Sequence, residues 1–391
     1  MSFDFDTPLP LWGAHCTKYD GIKRVFGAEG HDVIPMWVAD MDFKAAPAIL
    51  NAAQKEIDRG YMGYFTDPAG ASEATSQWMS RRHGWSFSPE AVRFTHGVIG
   101  GLGVVVSAFS EPGDRVVVFS PVYHAFYRQI RAMGRDVLES QLAKRYGQFE
   151  LDLDALKSAL NGRERILILC SPHNPGGRIW APDELRAIAA FCAENDLILI
   201  SDEIHADLVF PGVAFTPTMV AAPEHADRTV VLTAASKAFN IAGVETGLLI
   251  APDSNLMSKL EPAILDRESS PNRFGMAMVE AAFTDGEEWL DEVRTYLAEN
   301  FRLLFDRLNA LPGVTVMDMQ STYLAWVDMS ALGMDDSELL RRFVEDAKVA
   351  PSPGTQFETG GSGHMRLNVA LPRATLIKAL DRIETAFADI Q

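Results

Sequence analysis

The sequence predicts an α/β protein with a mostly parallel central sheet, helices on both of its faces, and a smaller α+β part. Three observations lead there. Short apolar, β-branched runs recur through the middle of the chain, helical patterns lie between some of them, and the last third turns to long amphipathic helices with few strands. A strand covered on both faces reads as a continuous apolar run, because neither face meets water. The 391 residues leave room for two or three domains of about 150 residues and for a large core without staples or metals.

Each element has its own signal. Strand-like runs fall at 92–95, 115–119, 166–170, 197–201, 230–233 and 247–250. Leu156, Ala159 and Leu160 share one helical face before Gly162. Leu185, Ile188, Ala189 and Cys192 share another, with Pro182 placed where a helix tolerates it. Leu290, Val293, Leu297, Phe301, Leu304 and Leu308 step by three or four and predict one long helix stopped by Pro312 and Gly313. A strand at 323–327, a helix carrying Leu339, Leu340, Phe343 and Val344, a glycine-rich loop at 354–363, a strand at 364–370 and a last helix through Leu376, Leu380, Ile383 and Phe387 complete the smaller part.

Composition narrows the function. The formal net charge of −18 argues against nucleic-acid binding, which draws on clustered Lys and Arg. Cys16, Cys170 and Cys192 are odd in number and far apart, so neither a disulfide framework nor a zinc site is expected, and a reducing, cytoplasmic setting fits. The acidic, proline-containing start does not read as a leader, and no apolar run nears the roughly 18 residues of a membrane span. No metal is expected.

Six segments carry chemistry. Thr233-Ala-Ala-Ser-Lys237-Ala-Phe-Asn-Ile-Ala-Gly243 follows an apolar run, so Ser236 and Lys237 sit at a strand end, where α/β proteins place ligands. A lysine there can form a Schiff base with an aldehyde if burial deprotonates it; alone it also reads as a loop lysine. In Leu-Ile-Leu-Ile-Ser-Asp202-Glu-Ile-His205 an acid directly after a buried strand needs a partner, such as a protonated pyridine nitrogen; the alternative is a helix N-cap. Glu203 reads as structural and His205, alone, as a packing histidine.

Cys170-Ser-Pro-His-Asn174-Pro-Gly-Gly turns sharply after another strand. Asn174 offers a donor and an acceptor, suited to a phenolic oxygen, or is an ordinary turn residue. His96-Gly-Val-Ile-Gly-Gly-Leu-Gly103 joins a strand to a helix whose first N–H groups can hold an anion; its spacing is not GxGxxG. Tyr123, in Ser-Pro-Val-Tyr, can stack on a ring or simply pack. Arg366, inside the apolar His-Met-Arg-Leu-Asn-Val-Ala, needs a carboxylate or phosphate, either a ligand's or an internal one.

Taken together, Tyr123, Asn174, Asp202, His205, Ser236–Lys237 and Arg366 resemble, in order and spacing, the aminotransferase class I/II superfamily of pyridoxal-phosphate enzymes over nearly the whole chain. Pro35-Met-Trp-Val-Ala-Asp-Met-Asp-Phe43, Ser171-Pro-His-Asn-Pro175, Ser201-Asp-Glu-Ile-His205 and Ser236-Lys-Ala-Phe-Asn-Ile-Ala-Gly243 look like the branch of MalY/PatB-type cystathionine β-lyases. The resemblance implies fold type I, aspartate aminotransferase-like. It implies a large cofactor-binding domain at 46–283 and a small domain from 1–45 plus 284–391.

It also implies roles. Lys237 would carry pyridoxal 5'-phosphate and act as the catalytic base, with Asp202 keeping the ring nitrogen protonated. Asn174 and His205 would meet the phenolic oxygen and Tyr123 the ring. Ser236 and the backbone of Val98 and Ile99 would hold the phosphate, joined by a catalytic Tyr64 from the other subunit of a homodimer. Arg366, Asn174 and Ala39 would bind the amino-acid substrate. Many aminotransferases have a phosphate-binding arginine eight residues beyond the lysine; this chain has Glu245 there, as the lyase branch commonly lacks that arginine. The reaction implied is β-elimination from a cysteine S-conjugate to pyruvate, ammonia and a thiol. An aminotransferase shares every step up to the carbanion, and a regulatory protein that binds a transcription factor is the reading from another class. Pocket shape around Trp37 and Tyr323, which would select the leaving group, is not legible from residue order.

Overall fold

The computed structural model describes residues 2–65, 68–145, 147–267 and 272–389. All six expected runs become strands of one sheet: β1 (Val92–His96), β2 (Arg115–Ser120), β4 (Glu164–Cys170), β5 (Ile198–Asp202), β6 (Thr229–Thr233) and β7 (Thr246–Ile250), with β3 (Asp136–Gln141) as a seventh. The order across the sheet is β1-β7-β6-β5-β4-β2-β3, and β7 alone runs against its neighbours. β3 escaped the sequence reading because it is an edge strand that alternates buried and exposed residues.

The sheet is apolar throughout because both faces are covered. Val116 and Val118 pack on one side with Leu102 and Val105 of the helix Gly97–Phe109 and with Leu256 and Leu260 of the helix Ser254–Asp266. Val117 and Phe119 pack on the other with Leu185, Ile188 and Ala189 of the helix Pro182–Glu194. Each such side chain stabilises the fold by roughly 1.5–3 kcal/mol relative to exposure. A Cβ on Gly247 would lie 2.4 Å from the Gly97 carbonyl carbon, so β7 approaches the turn after β1 more closely than any other residue type allows.

A second sheet holds β8 (Thr315–Val316), β9 (Leu324–Asp328), β10 (Ser352–Pro353) and β11 (His364–Asn368), ordered β8-β9-β11-β10 and antiparallel. The helix Glu287–Leu308 buries the predicted stripe against it, together with Leu376, Leu380 and Ile383 of the helix Arg373–Ala386. The helix expected through Val344 is shorter than its pattern: regular α-helix ends at Arg341, and Arg342–Asp346 form a wider π turn. The long helix ends at Leu308, four residues before Pro312.

The N-terminal segment ties the two sheets together. Ile34–Pro35 pairs in parallel with Val349–Ala350. Beyond it, Asn368 N–H donates to Met36 O at 2.8 Å, Asp42 N–H to Ala370 O at 2.9 Å, and Asn240 binds both Met41 and Phe43. Residues 37–40 are thereby held over the C-terminal ends of β4, β5 and β6, the edge at which open α/β sheets bind ligands.

Candidate active site

A cavity of about 820 Å³ opens at that edge. Its lining includes Val98, Ile99, Tyr123, Asn174, Asp202, His205, Ser236, Lys237, Arg366 and Ala39, so ten of the eleven residues singled out from the sequence meet in one place. The eleventh, Tyr64, does not: it is 95% exposed on the outer surface of the single chain, its carbonyl accepting from Arg273 at 3.0 Å.

Asp202 ends β5 at 3% exposure. No α-helix starts there, so it is not an N-cap; its Oδ1 accepts only the Ile204 N–H, at 3.2 Å. Burial pushes its carboxyl up to about 7. Glu203 is structural, as expected: it accepts from Ser201 Oγ and Thr218 N, each at 2.9 Å. Lys237 lies in the short helix Ala235–Ala238 and donates from Nζ to Ala39 O at 2.8 Å. Part of its stem faces the open cavity, and burial of the amine draws it down to about 8, with Arg366 pulling the same way and Asp40 and Asp202 opposing.

Arg366, in β11, is 4% exposed, and no carboxylate among the described residues forms an ion pair with it. Nη1 donates to Asn174 Oδ1 at 3.1 Å, Nη2 to Trp37 O at 2.7 Å and Ser352 Oγ at 3.1 Å, the guanidinium stands 5.0 Å from the Phe357 ring centre, and Nε has no partner. Among the described residues, the internal ion pair that the sequence left open is not formed. A buried cation satisfied only by neutral oxygens is a site waiting for an anion. His205, 2% exposed, likewise leaves Nδ1 without a partner, and burial lowers it to about 3, so the ring is neutral.

Val98 and Ile99 lie in the first turn of the helix Gly97–Phe109, where N–H groups have no acceptor within the helix. Gly97 N–H is already taken by Glu245 O at 2.8 Å, and Glu245 holds that position in the left-handed region, φ +49°. Residues missed by the sequence reading also line the cavity: His124, Ser352, Gln356 and Cys170. His124, Ser352 and Gln356 carry no pattern of their own and come in with the segments after β2 and around β10, whereas Cys170 ends the predicted strand β4. Among the described residues no group of three or more His, Cys, Asp or Glu is arranged to hold a metal ion, and no helix is long and apolar enough to cross a membrane.

Comparison with known proteins shows the family and the fold. The family model for aminotransferase class I and II matches residues 31–383. Cystathionine beta-lyase PatB of Bacillus subtilis is 39% identical over 389 residues, covering 98% of this chain and 100% of that protein. The PLP-bound C-S lyase of Staphylococcus hominis superposes with a TM-score of 0.93 at 30% identity, over 100% of this chain and 99% of the other. A PLP-bound putative aminotransferase from Clostridium difficile 630 superposes with a TM-score of 0.95 at 32% identity, over 99% and 100%.

Proposed function

The chain belongs to the aminotransferase class I and II family, and from that premise we propose that it is a pyridoxal-phosphate enzyme that breaks a carbon–sulfur bond at Cβ of L-cystathionine or related cysteine S-conjugates. Water is consumed and pyruvate, ammonia and a thiol are released. The observation that carries this reading is the one cavity that collects the buried Lys237 amine, the buried Asp202 carboxyl and Arg366, which pairs with no carboxylate among the described residues. The similarity to proteins named cystathionine beta-lyase and C-S lyase supports the choice of reaction.

The residues fit the cofactor. A buried acid that forms no ion pair among the described residues, an unpartnered imidazole nitrogen and a helix start in one cavity match a ring nitrogen, a phenolic oxygen and a phosphate in turn. When bound, pyridoxal phosphate supplies an electron sink for the charge left at Cα. Lys237 would hold the cofactor through Nζ, and the same atom is placed to take the substrate α-proton. Asp202 would pair with the ring nitrogen and keep it protonated. Asn174 Nδ2 donates toward the phenolic oxygen while its Oδ1 stays fixed by Arg366, and His205 flanks the same oxygen. Tyr123 stacks on the ring. Ser236 and the Val98 and Ile99 N–H groups hold the phosphate, with Tyr64 from a second copy of the chain. Arg366 takes the substrate α-carboxylate beside Asn174 and Ala39, and the thiolate leaves with the Cβ–S electron pair.

The second reading, an aminotransferase, is favoured by the likeness to the Clostridium difficile protein of that description. Pyruvate release from L-cystathionine by the cofactor-loaded protein, with no keto acid present, decides between them. Stoichiometric thiol and pyruvate are expected; turnover only after a keto acid is added would move the protein to the aminotransferases.

Three coarser features belong to the same proposal. A homodimer is supported by the exposed apolar residues Leu50, Ile57, Tyr61, Met62 and Tyr64, gathered in and just after one helix, Pro47–Arg59. A cytoplasmic setting is supported by three free cysteines. A division into 46–283 and 1–45 plus 284–391 is supported by the two sheets, each of which falls wholly within one part.

A further inference from the structure

Residues 37–43 run past the cavity as a strap whose carbonyls are pinned in turn. Trp37 O accepts from Arg366 and Ser352, Val38 O and Asp40 O from Asn368 at 2.7 and 2.6 Å, and Ala39 O from Lys237 at 2.8 Å and Tyr323 at 3.0 Å. Behind the strap lies a charge cluster that the proposed mechanism does not use. Lys18, with no exposed surface, has Nζ 3.0 Å from Asp42 and 3.3 Å from Asp40. Tyr19 OH donates to the other Asp42 oxygen at 2.6 Å, so both oxygens of Asp42 are engaged. Asp40 has the ion pair alone: its Oδ1 accepts no hydrogen bond. Two carboxylates facing one ammonium leave one negative charge in excess, and Asp42 is fully committed. That leaves Asp40, the residue next to the carbonyl that holds Lys237, as the less fully paired carboxylate; burial pushes its carboxyl up, Lys18 draws it back down and Asp42 adds to the upward push.

We infer that Asp40 is a positioning residue for Lys237: its carboxylate, anchored by Lys18, keeps a negative charge beside the Lys237 amine and steadies the proton that this amine takes from Cα. The inference rests on the preceding reading for the task of Lys237. The charged and titratable groups that face the amine are Asp40 from the strap, Asp202 and His205 from the end of β5, Arg366 from β11, and Tyr323 before β9, which shares Ala39 O. Asp40 leads the charges that oppose the downward pull of burial on Lys237, ahead of Asp202. Asp202 would be engaged by the ring nitrogen in the loaded protein, which would leave Asp40 as the carboxylate for the amine.

The test is competitive labelling of the Lys237 amine in the full-length, cofactor-free protein across a pH series, read by mass spectrometry. Asp40→Asn should lower the midpoint by roughly one pH unit, as expected for loss of a nearby opposite charge. Asp40→Ser should do the same through a second neutral side chain. Asp40→Glu should return the midpoint toward the wild-type value, and Asp42→Asn, which removes a charge of the same cluster whose oxygens are held by Lys18 and Tyr19, should lower it clearly less than Asp40→Asn does. A wild-type midpoint in Asp40→Asn and Asp40→Ser overturns the inference, as does an equal drop in Asp42→Asn. Because no cofactor is present, the result decides the role of Asp40 even if the loaded protein showed no lyase activity, which would overturn the preceding reading instead.

Discussion

Arg366 Nη1 donates to the side-chain oxygen of Asn174 across 3.1 Å, joining the last strand of the small sheet to the loop after β4. The contact orients the amide, so that its Nδ2 is left for another acceptor, and holds a guanidinium that no carboxylate among the described residues neutralises. One hydrogen bond thus fixes two side chains that line the cavity.

Replacing that guanidinium with a point charge should separate the two. Arg366→Lys keeps the charge and loses the fork, and kcat/KM for cystathionine should fall on the order of a hundredfold, mainly through KM. Steady-state kinetics checks this; an unchanged KM would place the carboxylate elsewhere.

Lys237→Ala should abolish turnover. Borohydride reduction of the cofactor-loaded wild-type protein should fix pyridoxal phosphate on the peptide containing Lys237, and peptide mass mapping reads the site. A modified peptide from another lysine would refute the assignment.

Asp202 makes a prediction about stability without cofactor. Its carboxyl is raised from 3.8 to about 7 by burial. The unfolded chain ionises near the lower value and the folded chain keeps its proton to the higher. Stability therefore falls as pH rises between the two and stays reduced above about 7, by on the order of a few kcal/mol. Asp202→Asn has no such slope. Cofactor-free Asp202→Asn should melt above wild type at pH near 8 and alongside it near pH 4, while the loaded variant loses on the order of a hundredfold or more in kcat. Parallel melting curves at both pH values would contradict the burial argument.

Tyr64 can be placed by subunit mixing. If it serves the neighbouring site, Tyr64→Ala and Lys237→Ala proteins are each impaired, but a hybrid of the two has one intact site. Co-refolding equal amounts should restore up to about a quarter of wild-type activity. No recovery on mixing would mean that Tyr64 does not act across an interface.

Much of the fold was legible because the central strands are covered on both faces and so read as uninterrupted apolar runs. β3 was not, because one side of an edge strand meets solvent. The stop of the helix at Arg341 was not, because Phe343 and Val344 keep a helical spacing that a π turn also buries. At the site, Lys237, Asp202 and Asn174 were legible since each directly follows an apolar strand. Lys18 and Asp40 were not, because an ion pair between residues 22 positions apart leaves no periodic trace.

The sequence alone determined the α/β class, the order of the strand-end residues and, through motif order and spacing, the family. These are local properties: burial on two faces forces apolar runs, and a residue that must sit at a strand end is written next to its strand. Only the tertiary structure decided that Arg366 has no counter-ion among the described residues, that Tyr64 lies outside the cavity of its own chain, and that the strap at 37–43 brings the Ala39 carbonyl to Lys237. Those facts depend on which distant segments meet, and the charge balance of a buried site is set by everything that packs around it.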